Sequence, residues 1–157
     1  MSCADIMTPN PRYVREDDTI GEAAREIIEH TYINLPVVDA EGRLVGLFGI
    51  YDLLALLVPR VAVIGNLLPN LRFMSDDDSE LHRKYLSLKD NPVRRAVNRE
   101  AARVYADTPL IEAIRLFCLN HTTIPVVERG SDRLVGMISY WDAARHIVAP
   151  KNAAPGG

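Results

Sequence analysis

Leu35-Pro36-Val37-Val38-Asp39-Ala40-Glu41-Gly42-Arg43-Leu44-Val45-Gly46 returns, with small changes, as Ile124-Pro125-Val126-Val127-Glu128-Arg129-Gly130-Ser131-Asp132-Arg133-Leu134-Val135-Gly136. The second copy is one residue longer, and the extra residue falls in the polar turn, where insertions are tolerated. Beyond the turn the register holds. Gly46 and Gly136 stand ninety positions apart, as do Asp52 and Asp142, and upstream Glu22 and Glu112, and Val14 and Val104. Agreement over several separate blocks marks an internal duplication. One copy occupies residues 1–58 and the other 91–149, with a linker over 59–90. The Pro-, Gly- and Ala-rich tail, 150–157, reads as disordered.

Each copy carries the same order of elements. Ile20, Ala23, Ala24, Ile27 and Ile28 recur at helical spacing, and so do Leu110, Ala113, Ile114, Phe117 and Cys118. Thr19 with Glu22 is a capping-box pattern, and Thr108-Pro109 puts proline at a first helical position. A short Pro-Val-Val strand, a turn with Gly42 or Gly130, and a second strand, Leu44 to Phe48 or Leu134 to Ile138, follow. A final helix carries Leu53, Leu54 and Leu57 in one copy and Ala143, Ala144 and Ile147 in the other. With the leading extended pieces around Tyr13-Val14 and Arg103-Val104, each copy reads strand–helix–strand–strand–helix, an α/β (α+β) unit. A unit of this size buries little core alone. The pattern therefore predicts two copies packed around a pseudo-two-fold axis, with the apolar final helices left for a second chain in a homodimer.

Composition narrows the function. The chain has 157 residues, is 48% hydrophobic and 25% charged, and carries a net charge of −3. That balance argues for a folded protein and against a general nucleic-acid binder. Arg94, Arg95, Arg99 and Arg103 cluster where the second copy begins and read as a solvated face balanced by the acidic run Asp76-Asp77-Asp78. The minority reading is a phosphate clamp, since a guanidinium grips phosphate with two prongs. The leading residues lack a secretion signal, and the apolar stretch from Leu44 to Leu71 is broken by Asp52, Pro59 and Arg60. A cytoplasmic, reduced protein without a membrane partner is the expectation. Two cysteines and four scattered histidines offer no metal spacing. Cys118 reads as core and Cys3 as an exposed thiol near a mobile terminus. Within the linker, Ser79 to Leu88 has helical character with Leu81, Tyr85 and Leu88 on one face, read as a surface helix, or else as a flap over a ligand cleft or a partner-docking element.

Ser139-x-x-Asp142 sits where a strand meets a helix. On spacing alone it is an N-terminal capping pattern. The same geometry suits a nucleotide: free helix N–H groups and a hydroxyl for phosphate, and a carboxylate for both hydroxyls of a ribose. The first copy has Gly49 and Asp52 at these positions. Gly49 brings no hydroxyl, so that cleft is read as empty or weak, or as taking a nucleoside-like group with fewer phosphate contacts. The segment Val104-Tyr105-Ala106-Asp107 offers backbone hydrogen bonds and a flat wall to a base, or is an ordinary strand end with a helix cap. No nucleophile–base pair or Gly-rich phosphate loop points to an enzyme.

Asp5-Ile6-Met7-Thr8-Pro9, the two Pro-Val-Val blocks and Gly136-Met137-Ile138-Ser139-Tyr140-Trp141-Asp142 together resemble the CBS domain (cystathionine-β-synthase domain), and two in tandem resemble a Bateman module. The resemblance implies a regulatory sensor without catalysis of its own. It implies an adenosyl ligand (AMP, ADP, ATP or S-adenosylmethionine) held in clefts between the paired domains, dimers shaped as a flat disk, and a regulated partner protein. It implies phosphate at Ser139 and ribose at Asp142, with Asp52 as the weaker counterpart. Residues ahead of each Pro-Val-Val block, Thr122 and Thr123 in one copy and Asn34 in the other, would line the base and phosphates. Some family members carry arginine two residues before the proline, which favours polyphosphate; Thr123 and Asn34 stand there instead. A ligand-free dimerising scaffold is the competing expectation.

Overall fold

The structure is a computed structural model and describes residues 1–58 and 78–150. Seven strands and five helices build two α/β halves: β1 (Thr8–Pro9), β2 (Val14–Arg15), α1 (Ile20–His30), β3 (Asn34–Val38), β4 (Leu44–Gly49), α2 (Ile50–Ala55), α3 (Asp78–Leu88), β5 (Val104–Tyr105), α4 (Leu110–Asn120), β6 (Ile124–Val127), β7 (Leu134–Ile138) and α5 (Tyr140–Val148). One sheet has the order β2-β3-β4 and the other β1-β7-β6-β5. In each half a parallel pair (β2 with β3, β5 with β6) is followed by an antiparallel hairpin. The strand–helix–strand–strand–helix order holds in both. Pro36 fits its strand because the parallel partner begins only at Val14, opposite Val37, so the missing N–H faces no neighbour on that side.

The halves are not the two sequence repeats laid side by side. Cys3–Asp5 and Val93–Arg95 each form a short 3-10 turn, and each lies in the other repeat's half. Cys3 is fully buried with Val104, Phe117 and Ile138, and Val93 is fully buried with Val14, Ile27 and Phe48. The anchoring bonds are reciprocal. The Cys3 N–H donates to the Thr108 carbonyl and the Val93 N–H to the Asp18 carbonyl, at 2.9 and 2.7 Å. Beyond the turns, Thr8 pairs with Met137 on β7, and Asn98 pairs with Leu47 on β4. This exchange explains the glycine shared by both hairpins. A Cβ at Gly46 would fall on the Asn98 carbonyl oxygen, and one at Gly136 would lie 2.7 Å from Met7 Sδ.

The helix faces follow from the same packing. Ile20, Ala23, Ala24 and Ile27 are buried, as are Leu110, Ala113 and Phe117, but Ile28 and Cys118, at the last position of each predicted stripe, are exposed. The cysteine expectations are therefore reversed: the leading turn carries Cys3 into the second half's core, while Cys118 has rotated past the buried face of α4. Burial, with the nearby Glu112 charge adding to it, holds the Cys3 thiol above its ordinary pKa. A thiol reagent near neutral pH is expected to modify one cysteine per native chain and two in denaturant. Two reactive thiols in the native protein would contradict this packing.

The predicted surface helix in the linker is α3, whose Tyr85 packs on the first core while Leu81 is exposed. The remainder of the linker before it and the tail from residue 151 lie outside the described residues. Among the described residues Arg94 pairs with Asp17, and Arg103 lies 3.6 Å from Asp132; the expected balancing by the acidic run of the linker lies outside the described residues. No described helix is long and apolar enough to cross a membrane.

Candidate functional site

The hairpin β6–β7 ends at the pair Ile124–Ile138. Ser139 follows as the N-cap of α5, and Thr123 immediately precedes β6. Here the two halves leave a cleft of about 270 Å3 lined by Ser139, Asp142, Thr123, Asn34, Tyr32, Met137, Thr8 and Arg12, among others. The volume lies near the lower end of small-molecule sites, about 300–1,000 Å3.

Ser139 and Asp142 do cap the helix. The Asp142 N–H donates to Ser139 Oγ at 3.1 Å, and the Ser139 hydroxyl donates to Asp142 Oδ2 at 2.7 Å. The cap and the cleft coincide, so the spacing serves both readings. Asp142 stays partly open, with Arg145 3.6 Å from its Oδ1. Two groups at this junction have no protein partner among the described residues: the N–H of Tyr140, the first residue of α5, and the buried hydroxyl of Thr123. A buried hydroxyl without a partner costs about 1–3 kcal/mol. Thr123 is also one of the residues that line the cleft.

The other sequence candidates divide. Asn34 lines this cleft, and its amide donates to the Thr122 hydroxyl across the two halves. Tyr105 is not among the residues lining the cleft. Its N–H donates to Thr108 Oγ1 at 3.0 Å, and its ring lies 4.0 Å beneath the Arg129 guanidinium. Of the backbone groups of the segment 104–107, the Tyr105 N–H is thus engaged within its own turn. Asp52 sits at the opposite strand–helix junction, accepting from the Gly49 N–H at 2.7 Å.

Two polar cleft residues escaped the sequence reading, Thr8 and Arg12. They belong to the leading segment of the first repeat and reach the second repeat's cleft through the exchange of β1 onto β7. The arginines Arg94, Arg95, Arg99 and Arg103 cluster at the start of the second copy. The basic side chain actually on the cleft wall is Arg12, paired with Glu26 at 2.9 Å.

Burial pushes the Asp52 carboxyl above the ordinary carboxylate range, opposed by the Gly49 N–H. A carboxyl with a higher pKa folded than unfolded favours the native state fully only below its unfolded value of about 3.9. That contribution is lost as pH rises through the folded value. Asp52→Asn is expected to raise the melting temperature more at pH 7 than at pH 4. An increment independent of pH would show that ionisation of Asp52 carries no cost.

A duplicated α/β chain with a cleft at the junction of its halves, one acid and one base on the wall, has the architecture of a paired-domain protein. The chain belongs to the CBS domain family, whose model matches residues 3–59 and 93–149. The chloroplastic CBS domain-containing protein CBSX2 of Arabidopsis thaliana is 46% identical over 43 residues, 27% of this chain. That stretch is only 18% of the relative, so the match covers a minor part of it. The crystal structure of CBSX2 in complex with AMP is 25% identical, has a TM-score of 0.69, and is matched over 94% of this chain and 96% of that one. The CBS domain pair of protein MJ0100, in complex with 5-methylthioadenosine and S-adenosyl-L-methionine, shares the fold at 20% identity, with a TM-score of 0.62 and coverage of 94% and 96%.

Proposed function

We propose that the chain is a regulatory module that binds an adenosyl ligand, of the AMP, ADP, ATP or S-adenosylmethionine class, in the Asp142 cleft and passes its occupancy to a partner protein. The observation that carries this reading is the junction itself. Ser139 at the N-cap of α5, Thr123 with its unpartnered hydroxyl and Asp142 line one cleft between the halves, and the N–H of Tyr140, next to Ser139, has no partner among the described residues. In this reading Asp142 accepts from the ribose hydroxyls. Ser139, Thr123 and the α5 N-terminus face phosphate or its replacement, and Arg12 supplies the compensating positive charge from the other repeat. A ligand touching both halves favours one relative arrangement of them, by no more than its differential affinity for the two arrangements. The reading is a binding role rather than catalysis, in keeping with the adenosyl complexes of the related structures.

The final helices support a homodimer. Tyr51 of α2 and Trp141 of α5 occupy the same repeat position and are 76% and 61% exposed. Such large aromatic surfaces on both repeats suit association with a second copy. The same face favours the second reading, a dimerising scaffold that binds no ligand. A thermal-shift panel of adenine nucleotides and S-adenosylmethionine separates the two. A ligand present at 100 times its Kd adds about 2.7 kcal/mol to the native state, and a melting temperature unmoved at millimolar concentrations leaves the scaffold. Sedimentation at micromolar protein tests the dimer.

A further inference from the structure

The two strand–helix junctions are related by the duplication but are built differently. At the Asp142 end the hairpin stops at Ile124–Ile138, leaving Thr123 and Ser139 unpaired. At the Asp52 end the ladder runs one pair further, with Asn34 opposite Gly49. The Ile50 N–H then donates to the Ile33 carbonyl at 2.9 Å. The chain's own backbone therefore occupies the first N–H of α2, whereas the corresponding N–H of Tyr140 has no partner among the described residues. The side chains follow suit. Thr123 presents a free hydroxyl, while Asn34, its counterpart, lies over Gly49 and donates its amide to Thr122. A Cβ at position 49 would fall on Asn34 Oδ1 and within 2.7 Å of the Ile33 carbonyl oxygen. Serine, the residue at the equivalent position 139, cannot stand there while Asn34 does.

We propose that Asn34 is a built-in plug over the Asp52 junction, so that each chain takes a single ligand, at Asp142, and keeps a second, latent nucleoside position shut. This rests on the adenosyl-binding reading above and adds its stoichiometry and the residue that sets it. Asn34 faces both ends: it lines the open cleft and closes the other. Asp52, half-buried and without a described cationic partner, is what remains of the second position.

Calorimetric titration of the full chain with AMP provides the test. Wild type is expected to bind one AMP per chain, and Asp52→Ala to bind one as well, with a Kd within about twofold of wild type. Grafting the open end onto the closed one, as Asn34→Thr with Gly49→Ser, is expected to give two AMP per chain. The new Cβ displaces the Ile33 carbonyl and frees the Ile50 N–H. Adding Asp52→Ala to the graft is expected to return the count to one. Two AMP bound by wild type, loss of a site in Asp52→Ala, or a folded graft that still binds one would overturn the plug. If the graft does not fold, the wild-type count and Asp52→Ala decide. Wild type that binds none of AMP, ADP, ATP and S-adenosylmethionine would instead sink the adenosyl reading and the plug with it; if one of the others binds, the same counts are taken with that ligand.

Discussion

Asp142→Ala is expected to weaken AMP binding by about 100-fold. In the adenosyl reading the carboxylate accepts from two ribose hydroxyls, and hydrogen bonds to a charged group contribute about 1.5–3 kcal/mol each. Losing about 3 kcal/mol corresponds to two powers of ten in Kd. Because ribose is common to the candidate ligands, the loss should be similar for AMP, ATP and S-adenosylmethionine. The side chain also accepts from the Ser139 N–H at 3.2 Å and from its hydroxyl at 2.7 Å. The variant therefore loses part of a helix cap, at about 1 kcal/mol, which lowers the melting temperature by about 2–4 °C for a domain of this size. Calorimetry and thermal melting read the two roles separately. Asp142→Asn keeps a neutral acceptor and is expected to fall between wild type and alanine in affinity. A normal Kd with a lowered melting temperature would leave Asp142 as a cap alone and remove the ribose contact from the proposed site.

Gly46→Val is expected to cause the largest loss of stability. Any Cβ at this position falls on the Asn98 carbonyl oxygen and within 2.9 Å of Val97 Cγ2. The neighbour is backbone held by its own bonds: Leu47 and Asn98 exchange two hydrogen bonds, of 2.8 and 3.1 Å. Relief requires the second repeat's leading strand to leave β4, and Val93, fully buried in the first core, is anchored upstream on the same segment. Overpacking typically costs about 1–3 kcal/mol and more when backbone must move. About 3 kcal/mol would lower the melting temperature by about 6–12 °C. Gly42→Ala is the contrast: open space surrounds that Cβ, and its φ of +79° adds only local backbone strain. Equal melting temperatures for Gly46→Val and wild type would be incompatible with the strand exchange.

The duplicated core was legible because burial imposes a period. The Pro-Val-Val strands are buried on both faces, and the α1 stripe from Ile20 to Ile27 faces inward as its spacing requires. The Ser139–Asp142 junction was legible for a related reason: a helix needs a cap, and capping residues have a fixed spacing. The cysteines were misplaced because their surroundings are set by partners distant in sequence. The second half's core receives Cys3 from the chain's beginning. Asn34 and Thr123 looked equivalent in sequence, yet one is bonded across the halves and the other is unpartnered.

From its order of residues alone this chain declares two copies of one α/β unit, their helices and hairpins, and the acid at each strand–helix junction. These are local properties, governed by periodicity and capping within a few residues. Tertiary structure alone decided that the leading turns change places, that Arg12 and Thr8 stand at a cleft of the other repeat, and that the Asp52 junction is closed while the Asp142 junction is open. Those outcomes depend on which backbone groups find partners across the pseudo-two-fold axis, and that pairing leaves no periodic trace in the sequence.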